Sequence, residues 1–160
     1  MGYPIVLDLV GGCYRPYFKK ISKKISLLDP EKKIIYYHGL KNNNEVIEHY
    51  HKANAFIFGS SCETFGQILT EAMLSGLPII CSKESSMPEI LGQSSFLYNP
   101  FSEDNLTDVI KSFLKSEKKR QKISTRGQLR AEKMTWAKCS KETFTFITQF
   151  GKHNKNNKIR

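Results

Sequence analysis

The residues best suited to chemistry lie between positions 59 and 71. Gly59-Ser60-Ser61-Cys62-Glu63-Thr64-Phe65-Gly66 follows an apolar run ending at Phe58 and opens into a segment of helical period. Small residues ahead of a helix N-terminus form a ready anion site. Unpaired N–H groups point outward, the helix dipole favours negative charge, and Gly66 lets a phosphate approach the backbone. Two carboxylates frame this stretch, Glu63 in the loop and Glu71 in the second turn of the helix. On one straight helix they would stand about 12 Å apart along the axis. Paired-carboxylate glycoside hydrolysis needs roughly 5–9.5 Å, so that chemistry is disfavoured unless the loop folds Glu63 back. A carboxylate can instead accept hydrogen bonds from two vicinal hydroxyls, as on a ribose or a sugar ring. On residue chemistry alone the simpler reading is a solvated Glu71 and a helix-capping Glu63.

Other reactive residue types form no comparable group. His38, His49, His51 and His153 lack metal-ligand spacing, and His49 and His51 face different sides of a helix. Cys13, Cys62, Cys81 and Cys139 have no zinc or redox spacing and read as small buried residues, which fits a reducing, cytoplasmic compartment. Gly11-Gly12 after the first apolar run suggests a tight turn near a ligand, without the third glycine of a dinucleotide fingerprint. Trp136 reads as a packing anchor.

The elements that must position these residues alternate in type. Apolar runs at Ile5–Val10, Ile34–Tyr37, Ala55–Phe58, Leu77–Cys81 and Phe96–Tyr98 predict strands. Their nearly continuous apolar character predicts burial on both faces, as in a parallel sheet covered by helices. Tyr14, Phe18, Ile21, Ile25 and Leu28 recur at steps of four and three and give one helix an apolar face. A second helix is expected around Glu45–Lys52 and a third from Gly66 to Ser75, stopped by Gly76 and Pro78. A fourth starts after Ser102 as N-cap, with Leu106, Val109, Ile110, Phe113 and Leu114 inward. Beyond residue 115 the pattern is helical, with Trp136, Phe144 and Ile147 as apolar positions. This order predicts an α/β, Rossmann-like, doubly wound parallel sheet with a helical C-terminal segment. One domain over 1–150 and a disordered basic tail over 151–160 are expected.

Composition narrows the function class. The chain has 160 residues, 39% of them hydrophobic and 25% charged, which suits one soluble domain. Ile5–Val10 is too short and too interrupted for a membrane span or a leader peptide, and Val6 in place of Ser or Thr excludes myristoylation. The net charge of +10 is uneven: residues 111–160 carry 15 Lys and Arg against three Glu, while residues 1–110 are slightly acidic. No nucleic-acid motif accompanies the basic part, so nucleic acid is not expected as a partner. Peripheral docking to an anionic membrane fits it better.

The run Glu63-Thr-Phe-Gly66-Gln-Ile-Leu-Thr-Glu71-Ala-Met-Leu-Ser-Gly76-Leu-Pro78 resembles the signature of family 4 GT-B glycosyltransferases, two glutamates separated by seven residues. Tyr37-His38-Gly39, Ala53-Asn54-Ala55, Pro88-Glu89 and Thr135-Trp136 resemble further family motifs, so the likeness covers roughly residues 5–148. It implies the C-terminal, donor-binding half of a GT-B fold. It also implies retaining transfer from a nucleotide-diphosphate sugar, UDP- or GDP-linked, to a glycan or lipid-linked acceptor, with no cofactor and no catalytic metal. Under that resemblance Glu63 is the catalytic residue, beside the transferred sugar, and Glu71 holds the ribose hydroxyls. The N–H groups around Phe65, Gly66, Gln67 and Ile68 receive the diphosphate or the sugar, and Gly39-Leu40 passes near the base.

Two departures qualify the resemblance. The family's diphosphate-gripping Arg and Lys would precede Ile5, as would the acceptor-binding N-terminal half. The isolated chain is therefore expected to be inactive and to need that half or a partner subunit. An unpaired sheet edge or apolar patch would invite such association. A non-catalytic nucleotide-sugar-binding subunit or remnant, needing a partner chain for the acceptor half, is the alternative. The second departure is Ser85-Ser86-Met87, where the family often has Gly-Gly-x.

Overall fold

The computed structural model describes residues 4–156 and divides into two compact units, Met1–Lys52 and Ala53–Arg160. The first unit contains β1 (Leu7–Val10), α1 (Arg15–Leu28), β2 (Ile35–Gly39) and α2 (Asn43–Lys52). β1 and β2 pair in parallel, with an irregularity between Leu9 and Val10 that brings Val10 opposite Gly39. Pro16 lies in the first turn of α1, where its missing N–H costs nothing. At the other end Asp29 turns the chain. Its N–H donates to the Ile25 carbonyl, and its carboxylate accepts from the N–H groups of Lys33, Ile34 and Ile35 at 2.7–3.0 Å. Asn42 and Glu45 cap α2 reciprocally, each side chain accepting the other's N–H at 3.0 Å.

The second unit contains β3 (Phe56–Phe58), α3 (Gln67–Leu74), β4 (Ile79–Ser82), α4 (Met87–Leu91) and β5 (Ser95–Tyr98). It continues with α5 (Glu103–Lys115), α6 (Glu117–Ala131) and α7 (Trp136–Asn156). Its three strands are parallel in the order β3-β4-β5. β4 is central and every one of its residues is buried. Ile80, Phe96, Tyr98, Phe113 and Ile123 form a core cluster between sheet and helices, with the Phe96 and Phe113 rings edge to face at 5.3 Å. Ser102 and Ser116 cap α5 and α6 through their hydroxyls. The Arg120 guanidinium closes the end of α5 by donating to the Phe113 and Leu114 carbonyls.

The α/β order and the parallel pairing match the sequence pattern, in two ladders of two and three strands. Three expectations need correction. Burial on both faces holds for β4 alone; β1, β2 and β3 have no buried residue and β5 buries only Phe96 and Tyr98, because every strand except β4 is the edge of its ladder. Of the cysteines only Cys81 is buried. Cys62 and Cys139 are exposed and Cys13 is half-buried, since they lie on a loop, a helix surface and a turn. Trp136 is not a packing anchor: it starts α7 with 81% of its surface exposed, and Phe144, Phe146 and Ile147 are exposed with it. α4 was not expected from the sequence, because five residues are too few to display a helical period. Of the segment 151–160, residues up to Asn156 belong to α7, and 157–160 lie outside the described residues. No helix among the described residues is long and apolar enough to cross a membrane.

Candidate functional site

The loop 59–66 leaves the carboxyl end of β3, the edge of a parallel sheet where ligands of open α/β folds bind. It begins against Tyr98 of β5. A Cβ at Gly59 would stand 3.2 Å from the Tyr98 hydroxyl, which donates to the Phe58 carbonyl at 3.4 Å. Burial pushes the Tyr98 phenol above its ordinary value, so the hydroxyl stays a donor. The Ser60 hydroxyl then folds the chain into a tight turn, donating to the Cys62 carbonyl at 3.1 Å and accepting its N–H at 3.3 Å.

Gly66 ends the loop and caps α3 in the left-handed region, at φ 65° and ψ 58°. A side chain is excluded there twice over. The backbone conformation disfavours any Cβ, and one built there would meet Leu69 Cδ1 at 3.2 Å. A glycine cap supplies no side-chain acceptor, and the first turn of α3 contains no carboxylate. The positive end of the helix dipole is therefore uncompensated by the helix's own residues. Phe65, Gln67 and Ile68 are exposed around it, while Leu69, Thr70, Ala72 and Met73 anchor the helix in the core. Glu71 is half-buried one turn further on, its carbonyl accepting from both the Ser75 N–H and hydroxyl. Gly76, at φ 71°, closes the helix. Its N–H reaches the Met73 carbonyl while that of Leu77 reaches Ala72.

Glu63 is half-buried, and its backbone is held by the neighbouring loop from the carboxyl end of β4. The Glu63 N–H donates to Ser85 Oγ at 3.1 Å, and its carbonyl accepts from Ser85 Oγ at 2.7 Å and Ser86 Oγ at 2.9 Å. Ser85 itself has φ 57°, an unusual conformation for a residue with a Cβ. The loop is rooted in α4, whose Met87, Ile90 and Leu91 are buried. From α6, Arg130 donates Nε to the Ile90 carbonyl at 2.6 Å and a terminal nitrogen to the Glu89 carbonyl at 2.7 Å. That places a cation on the negative end of α4.

Glu63, Phe65, Gly66, Gln67, Ile68 and Glu71 thus all fall on one loop and one helix of the second unit. Gly39 and Leu40 belong to the first unit, at the carboxyl end of β2. Gly39 has φ 68° and accepts the Gly11 N–H at 2.9 Å. The Tyr37 hydroxyl donates to the Gly11 carbonyl at 3.1 Å. The Gly11-Gly12 turn and the Gly39-Leu40 turn are therefore neighbours. His38 pairs with Asp8 at 2.6 Å and its ring lies 4.5 Å from that of His49. Among the described residues no three His, Cys, Asp or Glu side chains converge to hold a metal ion. Sequence reasoning missed the roles of Ser85, Ser86 and Arg130. The Ser-Ser pair in a glycine context was the available signal, and Arg130 offered none, since it acts on a helix 40 residues away.

With this geometry in place, comparison with known proteins decides the family. Residues 1–130 match Glycosyl transferases group 1. The chain belongs to this family. It is 27% identical over 143 residues to O-antigen chain mannosyltransferase B of Escherichia coli, covering 89% of this chain and 36% of that protein. It is also 27% identical over 103 residues to the sulfoquinovosyl transferase SQD2 of Arabidopsis thaliana, 61% of this chain and 20% of the relative. This glycosyl transferase chain thus spans about a third or less of these relatives. Among solved structures, Anabaena Alr3699/HepE in complex with UDP superposes with a TM-score of 0.78 at 20% identity, over 91% of this chain and 41% of that one. Sucrose-phosphate synthase from Thermosynechococcus elongatus gives 0.77 at 19% identity, over 92% and 39%. The fold is that of a GT-B glycosyltransferase domain, as the motif resemblance implied.

Proposed function

We propose that this chain forms the donor-binding part of a retaining glycosyltransferase that takes its sugar from a nucleotide diphosphate. The observation that carries this reading is the pairing of a helix start at Gly66 that has no side-chain cap and no carboxylate in its first turn with two half-buried glutamates, Glu63 before it and Glu71 after it. In this reading the N–H groups of Phe65 to Ile68 and the α3 dipole offset the charge of the leaving diphosphate. Glu71 accepts hydrogen bonds from the ribose hydroxyls, and Glu63 from hydroxyls of the transferred sugar. Support comes from the family, from relatives described as mannosyltransferases, and from the HepE structures holding UDP and UDP-glucose. The acceptor would be a glycan or lipid-linked sugar, bound largely by the part of such proteins that this chain does not match.

Calorimetric titration with UDP, GDP and ADP tests the reading. Saturable binding of one nucleotide is expected. In Glu71→Gln that binding should weaken by roughly 10- to 100-fold, the effect of removing charged acceptors from two hydroxyls. Binding unchanged in Glu71→Gln would overturn the ribose assignment. Absence of binding to all three nucleotides would overturn the donor site itself.

A further inference from the structure

Glu63 is held in an unusual way. Loop residues ordinarily satisfy their backbone with water or with local turns, yet both polar groups of the Glu63 backbone are taken by hydroxyls 22 and 23 residues away. Ser85 works in both directions, donating to the carbonyl and accepting from the N–H, and Ser86 adds a second donor to the same carbonyl. Ser85 does this from φ 57°, where glycine would be more comfortable. A serine at such a position points to a use for its hydroxyl. The support behind it is firm: α4 buries Met87, Ile90 and Leu91, and Arg130 ties down its last carbonyls.

We infer that Ser85 and Ser86 are positioning residues that latch the Glu63 backbone and thereby aim its carboxylate at the donor's sugar. The inference rests on the donor-site reading for Glu63, and it separates the two ends of the donor. Glu71 and the α3 N-terminus do not depend on the latch, so the nucleotide part should bind without it. The sugar part should not bind normally, because a swinging Glu63 loses the preorganisation that makes its hydrogen bonds worthwhile.

The test uses Ser85→Gly, Ser86→Ala and the double variant, with Ser86→Thr as the conservative control. Ser85→Gly relieves the backbone while deleting the hydroxyl, so it separates latch from scaffold. Whichever of UDP, GDP and ADP the parent binds is titrated into each variant beside its sugar-linked form, UDP-glucose, GDP-mannose or ADP-glucose. In the double variant, affinity for the nucleotide sugar should fall on the order of tenfold, as expected for lost hydrogen bonds that oriented the contact, while free nucleotide changes less than about twofold. Ser86→Thr should bind like the parent. Equal loss of both ligands, or of neither, would overturn the latch. Amide exchange at Glu63, followed by NMR without ligand, provides an independent reading. Protection should drop in Ser85→Gly, and unchanged protection would refute the latch. If the parent binds no nucleotide, the donor-site reading fails and the latch is judged on this exchange alone.

Discussion

β4 of the second unit is buried at all four positions, whereas β1 of the first unit is buried at none. The helices repeat the contrast. α3 buries Leu69, Thr70, Ala72 and Met73, while α1, nearly two turns longer, has no buried residue. Both units are parallel strands joined by helices, so the difference lies in how many strands and helices each one has. The second unit surrounds its central strand with two neighbours and a helical layer, and so closes a core of its own. The first has two strands and two helices, too little to cover both faces of a sheet. The comparison teaches that an apolar stripe records where cover is wanted and not whether the chain supplies it. It also places the proposed phosphate and sugar contacts on the unit with the rigid core, where a site can be preorganised.

The largest effect should come from one substitution made in both units. Leu69→Ala removes a side chain with no exposed surface and should cost about 2–5 kcal/mol of stability. Leu28→Ala, at a residue 64% exposed on α1, should cost less than about 0.5 kcal/mol. Urea unfolding followed by circular dichroism measures both. A Leu28→Ala cost above about 2 kcal/mol would show that the face of α1 is covered in solution, and the contrast between the units would collapse.

A finer comparison uses two glycines with nearly the same backbone. Gly39 and Gly66 have φ 68° and 65°, so alanine at either suffers the left-handed penalty of roughly 1–2 kcal/mol. Their surroundings differ. The nearest atom to a Cβ at Gly39 is 4.0 Å away, whereas at Gly66 Leu69 Cδ1 stands at 3.2 Å. Gly66→Ala should therefore destabilise more than Gly39→Ala by about 1 kcal/mol, the typical cost of a small overpacking. Equal losses would mean that Leu69 yields freely and that the start of α3 is softer than its burial suggests.

These contrasts show where sequence reasoning reached and where it stopped. Strand positions, the α3 span and the Ser102 cap were legible, because apolar runs, Gly76 with Pro78 and a serine before two acids are local signals. The line of candidate residues from Glu63 to Glu71 was legible through its motif. Burial was not, since Trp136 and the face of α1 carry the pattern of core residues and remain exposed. Nor was the bond from Ser85 to Glu63 legible, because it joins loops 22 residues apart that only strand pairing brings together.

The finest comparison is by pH, since the two units carry perturbed groups of opposite kind. In the first unit, burial pushes the Asp29 carboxyl up, but the N–H groups of Ile34, Ile35, Lys33 and Lys32 together outweigh it and hold it below its ordinary 3.8. The Asn42 N–H and Lys41 hold Glu45 below 4.5 in the same sense. A depressed carboxylate stabilises the fold above its unfolded value, and the gain vanishes as pH falls through the folded one. In the second unit, burial raises the Cys81 thiol from 9.0 to about 12. That contribution is complete below 9.0 and declines as pH climbs toward 12, because the unfolded thiol ionises first. Acid below about pH 4 should therefore strain the first unit, and alkali above about pH 9 the second. Melting curves across pH check this with one variant per unit. Asp29→Asn should lower the melting temperature at neutral pH and flatten the acid limb, and Cys81→Ala should flatten only the alkaline limb. An acid limb unchanged by Asp29→Asn would mean that the turn into β2 contributes nothing to the first unit. The hydrogen bonds of Asp29 would then follow from the fold of that unit without helping to hold it.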